Sequence, residues 1–200
     1  MSLAPEPLAG FISGIGRMIE TAAREPEILR GGRRLLEALV AQDDWLPPAL
    51  AEPGPERYRQ YLLHRDPRAR FSIVSFVWGP GQETPIHDHT VWGLVGVLRG
   101  AELSQRFEIL QDRPPVPLGA PDRLAAGSVE AVSPTVGDVH QVSNAYADRV
   151  SISIHLYGAD IGTVRRSSYP PEGGRRPFVS GYDNGPANPP FSLKATERAA

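Results

Sequence analysis

The 200-residue chain predicts an all-β body, a sandwich or barrel, behind a helical N-terminal cover. Three observations predict it. The apolar period changes from 3.6 to 2 just after Pro55. From there to Tyr157, short strand-like runs follow at regular spacing, cut by Asp66-Pro67, Pro80-Gly81 and Arg99-Gly100, with no alternation of strand and helix. Twenty-one prolines and twenty glycines suit a fold with many turns, and they gather after Pro170, where an irregular C-terminal wrap is expected. The expected division is residues 1–54 for the cover and 55–200 for the barrel with its wrap, together one structural domain.

In the cover, Leu8, Phe11, Ile12, Ile15, Met18, Ile19 and Ala22 recur at helical spacing, which predicts an amphipathic helix over 8–22. Pro26 opens a second helix, striped by Ile28, Leu29, Leu35, Leu36, Leu39 and Val40 and ending before Pro47-Pro48. Neither helix carries a chemical motif, so both are expected to cover one face of the barrel. In the body, Tyr58, Gln60 and Leu62 alternate with Arg59, Tyr61 and Leu63 as a first strand, and 71–78 forms a second. Residues 90–98 and 101–109 flank Arg99-Gly100 and read as a hairpin. Residues 114–122 read as a polar, proline-broken loop. Strands over 128–132, 139–143 and 150–157 complete the set.

A net charge of -2 gives no electrostatic case for nucleic acid or an anionic membrane. No apolar run is long enough to span a bilayer, and an N-terminus punctuated by Pro5, Pro7 and Gly10 does not read as a signal peptide, so the expected location is cytoplasmic. Cysteine is absent. Disulfides and Cys-ligated metals are therefore excluded, and any thiol chemistry must act on a substrate thiol.

Four of the five histidines carry the chemistry. Three of them lie in the stretches Gly81-x5-His87-Asp88-His89-x3-Gly93-x6-Gly100 and Pro134-x2-Gly137-x2-His140-x3-Asn144. His87 and His89, two apart, point to one face if they lie on a strand, while Asp88 between them points away. His140 arrives from another strand. Three neutral imidazoles converging inside a barrel can bind a divalent transition metal and leave positions open. With no carboxylate in the set, the site keeps the metal's net +2 charge and favours an anionic ligand such as a thiolate. The plain alternative is three core histidines bonded to backbone carbonyls. The fourth histidine belongs to the run 151–157, where Ser151, Ser153, His155 and Tyr157 share one face and Ile152, Ile154 and Leu156 the other. Ser153, His155 and Tyr157 could form a hydroxyl–imidazole–phenol chain that fixes the imidazole tautomer. The alternative is a solvent-facing polar edge.

The first histidine stretch has the spacing of the first cupin motif, with Gly93 at the place of its glutamate ligand. The two stretches together with Ser153-x-His155-x-Tyr157 resemble the cupin thiol dioxygenases, the cysteine dioxygenase family, over residues 58–182. The resemblance implies a cupin double-stranded β-helix, a jelly-roll barrel. It also implies Fe(II) held by His87, His89 and His140, a relay of Ser153, His155 and Tyr157 beside it, and a small thiol and O2 as partners. Two departures stand out. Mammalian-type members have a cysteine at the position of Gly93, which crosslinks to the tyrosine matching Tyr157, and an arginine for the substrate carboxylate at the position of Gln60. Both departures look like the bacterial glutamine-type branch, similar to 3-mercaptopropionate dioxygenase. So do the segments Gln42-Asp43-Asp44-Trp45-Leu46-Pro47, Phe76-Val77-Trp78-Gly79-Pro80-Gly81 and Gly137-Asp138-Val139-His140-Gln141-Val142-Ser143-Asn144. In that branch an arginine after the relay strand meets the carboxylate, which maps to Arg166. Arg165 and Arg166 follow a turn containing Gly158 and Gly162, so a guanidinium could fold back over the cavity mouth and take a carboxylate bidentately. The expectation is oxidation of 3-mercaptopropionate to its sulfinate, with L-cysteine the close alternative. From other classes, a non-catalytic metal-binding cupin or a zinc or manganese isomerase or hydrolase remain open.

Overall fold

Two α-helices precede the strands in the computed structural model, which describes residues 2–21, 23–111, 113–186 and 188–193. α1 (Glu6–Glu20) and α2 (Glu25–Val40) each carry proline in the first turn, where a missing N–H costs no hydrogen bond. The Glu27 carboxylate accepts the Arg24 backbone N–H at 2.9 Å and closes the start of α2. α1 thus begins two residues earlier than its apolar stripe, and Ala22 lies outside the described residues.

The body has eleven strands among the described residues. They are β1 (Arg59–Arg65), β2 (Ser72–Trp78), β3 (Gly93–Arg99), β4 (Ala101–Glu108), β5 (Val116–Pro117), β6 (Asp122–Ala125), β7 (Val129–Val132), β8 (His140–Asn144), β9 (Ser151–Tyr157), β10 (Arg166–Ser168) and β11 (Arg176–Phe178). One antiparallel sheet runs β1-β2-β9-β3-β7. In the second, β4 pairs β8 along one edge and β6 and β5 along the other. This is the expected all-β double-stranded β-helix with a helical cover.

The two faces of the larger sheet have different partners. Ile73, Val77, Leu94, Leu98, Ile152, Ile154 and Leu156 face out and pack with Leu8, Ile12, Ile15, Leu36 and Leu39 of the helices, as the cover was expected to do. Val74, Phe76, Trp78 and Tyr157 face inward and meet Val142 of β8. Because both faces are covered, β2 and β9 are buried along their whole length.

The hairpin expected at Arg99-Gly100 is not one. β3 pairs with β7 and β9 while β4 pairs with β5, β6 and β8, so the chain changes sheets at Gly100. Gly100 has φ +78°, and a Cβ there would lie 3.1 Å from Cα of Ser151, so glycine alone fits this corner. The segment expected as a loop contains β5 and leads into β6. The wrap contains β11, which pairs back on β10 just ahead of Pro170, and then covers the edge of β1. There Asn184 bonds both backbone groups of Leu62, and Phe191 N–H reaches the Leu63 carbonyl at 2.7 Å.

Candidate active site

His87 and His89 lie in an extended connection rather than a regular strand. His87 is held by a reciprocal backbone pair with His140, the first residue of β8, at 2.9 and 3.1 Å. The alternation expected of a strand survives in this connection. Asp88 turns away and accepts the Ser167 N–H at 2.7 Å and the Tyr169 hydroxyl at 2.8 Å. The three imidazoles converge, with ring centroids 4.8 Å (His87–His89), 5.0 Å (His87–His140) and 4.9 Å (His89–His140) apart. One nitrogen from each lies within 4.8 Å of the others.

In each ring Nδ1 is already engaged. His87 Nδ1–H donates to the Pro85 carbonyl at 3.0 Å, and His89 Nδ1–H is shared between the Asp138 carbonyl at 3.1 Å and Oδ1 at 3.2 Å. His140 Nδ1 meets the Ser104 hydroxyl at 3.3 Å. With Nδ1 protonated, Nε2 carries the lone pair, and His89 Nε2 is buried with no partner. Two rings do meet backbone carbonyls, as the plain alternative required, but that bond occupies only one nitrogen of each. Burial drives His87 down to about 3 and His140 well below its ordinary value, so both stay neutral, the state a ligand needs. Burial raises Asp138, but the His89 side chain and the Thr90 backbone N–H outweigh it and hold the carboxyl below its usual range. The donor set suits a divalent transition metal.

Ser153, His155 and Tyr157 form an unbroken chain. Ser153 Oγ lies 2.8 Å from His155 Nε2, and His155 Nδ1 lies 2.7 Å from the Tyr157 hydroxyl. The Trp78 indole N–H donates to Ser153 Oγ at 3.2 Å, and the Phe76 ring stacks on His155 at 4.0 Å. Ser153, His155 and Tyr157 are at most 3% exposed, on a central strand, which rules out a solvent-facing edge. Burial pushes His155 well below and Tyr157 above their ordinary values, so both are uncharged at neutral pH. The Tyr157 ring stacks 5.7 Å from that of His89, which sets the chain beside the histidine cluster.

A cavity of about 290 Å³ opens onto His87 and is lined by Tyr58, Gln60, Phe76, Arg166 and Phe178 among others. Arg166 is buried on β10, whereas Arg165 beside it is exposed. The Arg166 guanidinium lies over the Phe178 ring at 4.7 Å and donates through Nη2 to Ser180 Oγ at 2.7 Å, leaving Nε buried and unpartnered. No acidic side chain is among the described residues lining this cavity.

The sequence matches the family described as cysteine dioxygenase type I over residues 42–169, which includes the three histidines and the relay. The chain belongs to the cysteine dioxygenase type I family. Solved structures similar to it include a double-stranded β-helix protein from Klebsiella pneumoniae subsp. pneumoniae MGH 78578, at 16% identity over 68% of this chain and 97% of that one, TM-score 0.46. Another is a cupin superfamily protein from Desulfitobacterium hafniense DCB-2, at 16% identity over 60% and 94%, TM-score 0.43.

The groups that support the site in this cysteine dioxygenase family member were not singled out in the sequence. Asp138 and Ser104 orient two imidazoles, Trp78 ends the relay, and Phe178 and Ser180 brace Arg166. Asp138 lies inside the second motif, two residues before His140, which is the one sequence signal that could have found it. The others come from strands or tail segments that no local pattern ties to the site.

Proposed function

We propose that this protein is an iron-dependent thiol dioxygenase acting on a small thiol carboxylate, 3-mercaptopropionate in preference to L-cysteine. The observation that carries the reading is a single cavity lined both by His87 and by the half-unpartnered guanidinium of buried Arg166. The overall change is a thiol plus O2 giving a sulfinic acid. Both oxygen atoms join sulfur, which loses four electrons as O2 gains four, so no separate reductant enters.

His87, His89 and His140 would hold the iron through their free Nε2 atoms. Bound there, Fe(II) supplies a Lewis-acidic centre that favours the thiolate form of the substrate and activates O2. The chain's own residues do the rest. Arg166 offers its free Nε–H and its charge to the substrate carboxylate, with the neutral Gln60 amide as a second donor. Tyr58, Phe76 and Phe178 keep water from the cavity and strengthen that ion pair. Tyr157 remains a protonated phenol beside the histidine cluster, held by His155. A cysteine ammonium entering this cavity would be desolvated without an acidic partner, which favours the substrate lacking it.

The test is iron analysis combined with oxygen uptake on 3-mercaptopropionate, L-cysteine and cysteamine. Sulfinate formed with one O2 consumed per thiol, fastest with 3-mercaptopropionate, supports the reading. An iron-loaded protein that consumes no oxygen with any of the three overturns it, and a preference for cysteine overturns the substrate assignment alone.

A further inference from the structure

Thr90, which follows the second histidine of the cluster, is the one β-branched residue with a left-handed backbone among the described residues, at φ +61°. Glycine and asparagine reach this region readily; a side chain branched at Cβ does not. The Thr90 side chain is exposed, so no burial offsets the strain. The strain sits at a corner of the chain. Up to His89 the backbone runs beside β8, with the Thr84 N–H on the Val142 carbonyl and His87 paired with His140. From Gly93 onward it is β3, held between β7 and β9. The chain crosses between sheets here, as it does again at Gly100, where φ is +78°. The second corner has glycine and the first has threonine.

Asp138 holds the first corner. Its Oδ2 accepts the Thr90 backbone N–H at 3.0 Å, while Oδ1 accepts the His89 backbone N–H at 3.0 Å and the ring N–H at 3.2 Å. The chain on either side is fixed independently. The Asp88 N–H donates to the Ser167 carbonyl at 3.0 Å, and the Trp92 carbonyl accepts the Gly158 N–H at 2.9 Å. Only His89, Thr90 and Val91 lie between these two anchors, and Asp138 takes the backbone N–H of two of them. We propose that Thr90 is a positioning residue for the metal site: its strained corner, latched by Asp138, fixes where His89 stands. The inference rests on the three-histidine site and not on the reaction carried out there.

Released from Oδ2, residue 90 returns to negative φ, where a β-branched side chain is unstrained. Between two anchored points the rotation has to be taken up by His89 or Val91, and His89 loses its own bonds to the same carboxylate. The imidazole then leaves the cluster, and metal binding has to force the corner back, which lowers affinity. Asp138 thus acts on the metal by two routes, through the His89 ring and through the backbone of Thr90. Substitution at position 90 separates them. Glycine and asparagine hold a left-handed corner without a latch, whereas valine, with the shape of threonine, does not.

The test is a zinc titration of the full-length protein against a competing chelator, run on the wild type, Thr90→Gly, Asp138→Ala and the double variant. With Asp138 present the corner is held whichever residue occupies it, so Thr90→Gly should bind zinc within about twofold of the wild type. Asp138→Ala should bind more weakly, and adding Thr90→Gly should recover about threefold to tenfold, the relief of the strain less the added backbone freedom of glycine. Thr90→Asn should recover as much in that background, and Thr90→Val nothing. Should Asp138→Ala fail to fold in thermal melts, Asp138→Asn, which keeps the shape and loses the charge, carries the same cycle. No recovery with either glycine or asparagine, or an equal gain with and without Asp138, overturns the proposal and leaves Asp138 acting through the ring alone. A wild type that binds no zinc overturns the metal site and the proposal together, whereas wild-type binding without recovery overturns the proposal only.

Discussion

A Cβ built on Gly93 would lie 2.8 Å from Cδ1 of the Tyr157 ring and 3.1 Å from the Leu156 carbonyl oxygen. The ring therefore lies where a side chain at position 93 would begin, so any side chain there has to displace it. Gly93→Ala should displace that ring against a packed core, at a cost of about 1–3 kcal/mol in stability, and should lower kcat with little loss of metal; thermal melts, metal analysis and turnover measure the three separately. Tyr157→Phe tests the hydroxyl alone. It should keep its metal and lose roughly tenfold to a hundredfold in kcat, the usual worth of one buried hydrogen bond, and an unchanged kcat would remove the phenol from the mechanism. Asp138 receives the His89 ring N–H as well as the His89 and Thr90 backbone N–H groups. Asp138→Ala frees that imidazole to turn, so metal affinity should fall about 10–100-fold in a direct titration.

At the scale of elements, the β10–β11 hairpin supplies one wall of the cavity, with Arg166 on one strand and Phe178 on the other. Arg166→Ala should lower kcat/KM for 3-mercaptopropionate roughly tenfold to a hundredfold, the range of a lost charge-assisted bond, while leaving cysteamine unaffected. Equal loss on both thiols would mean that the arginine supports the hairpin instead. Nothing in the three-residue strands Arg166–Ser168 and Arg176–Phe178 announces them in the sequence, because three residues carry no readable period and their pairing is fixed by the wrap around them. β6 was hidden for a similar reason: Asp122–Ala125 is mostly exposed and has no apolar face. The corner at Gly100 was misread because a short turn between two strands has the same local appearance whether they pair with each other or with different sheets. Where the signal is local, the sequence was sufficient. Residues two apart share a face in any extended chain, so the convergence of His87 with His89 and the line of Ser153, His155 and Tyr157 could be read before any sheet was known. The bracing by Ser104, Trp78 and Ser180 could not, since each reaches the site across long chain separations.

The whole molecule registers its buried ionisable groups in the pH dependence of stability. His64 and His155 are held below their ordinary 6.5, burial being the first cause in each, so the unfolded chain binds protons below that pH which the folded chain refuses. Their contribution is present above pH 6.5 and is lost as pH falls. Glu102 acts in the opposite sense. Its folded form keeps a proton up to about 8 that the unfolded chain releases above 4.5, so its contribution is present below 4.5 and is lost as pH rises through about 8. Each group changes stability by about 1.4 kcal/mol per pH unit within its own window. Between 4.5 and 6.5 the buried histidines His87, His140 and His155 together outweigh one carboxyl and stability climbs with pH; from 6.5 to about 8 Glu102 acts without them and stability falls. Asp66, held at about 2 by the Arg70 guanidinium, enters only below its ordinary 3.8. Denaturant unfolding of the zinc-loaded protein should therefore show a maximum near pH 6.5, with a descending alkaline side that Glu102→Gln flattens and an ascent from 4.5 to 6.5 that the same substitution steepens. Wild-type stability that continues to climb through pH 8, or an alkaline side unchanged in Glu102→Gln, would show that the carboxyl is ionised in the folded barrel.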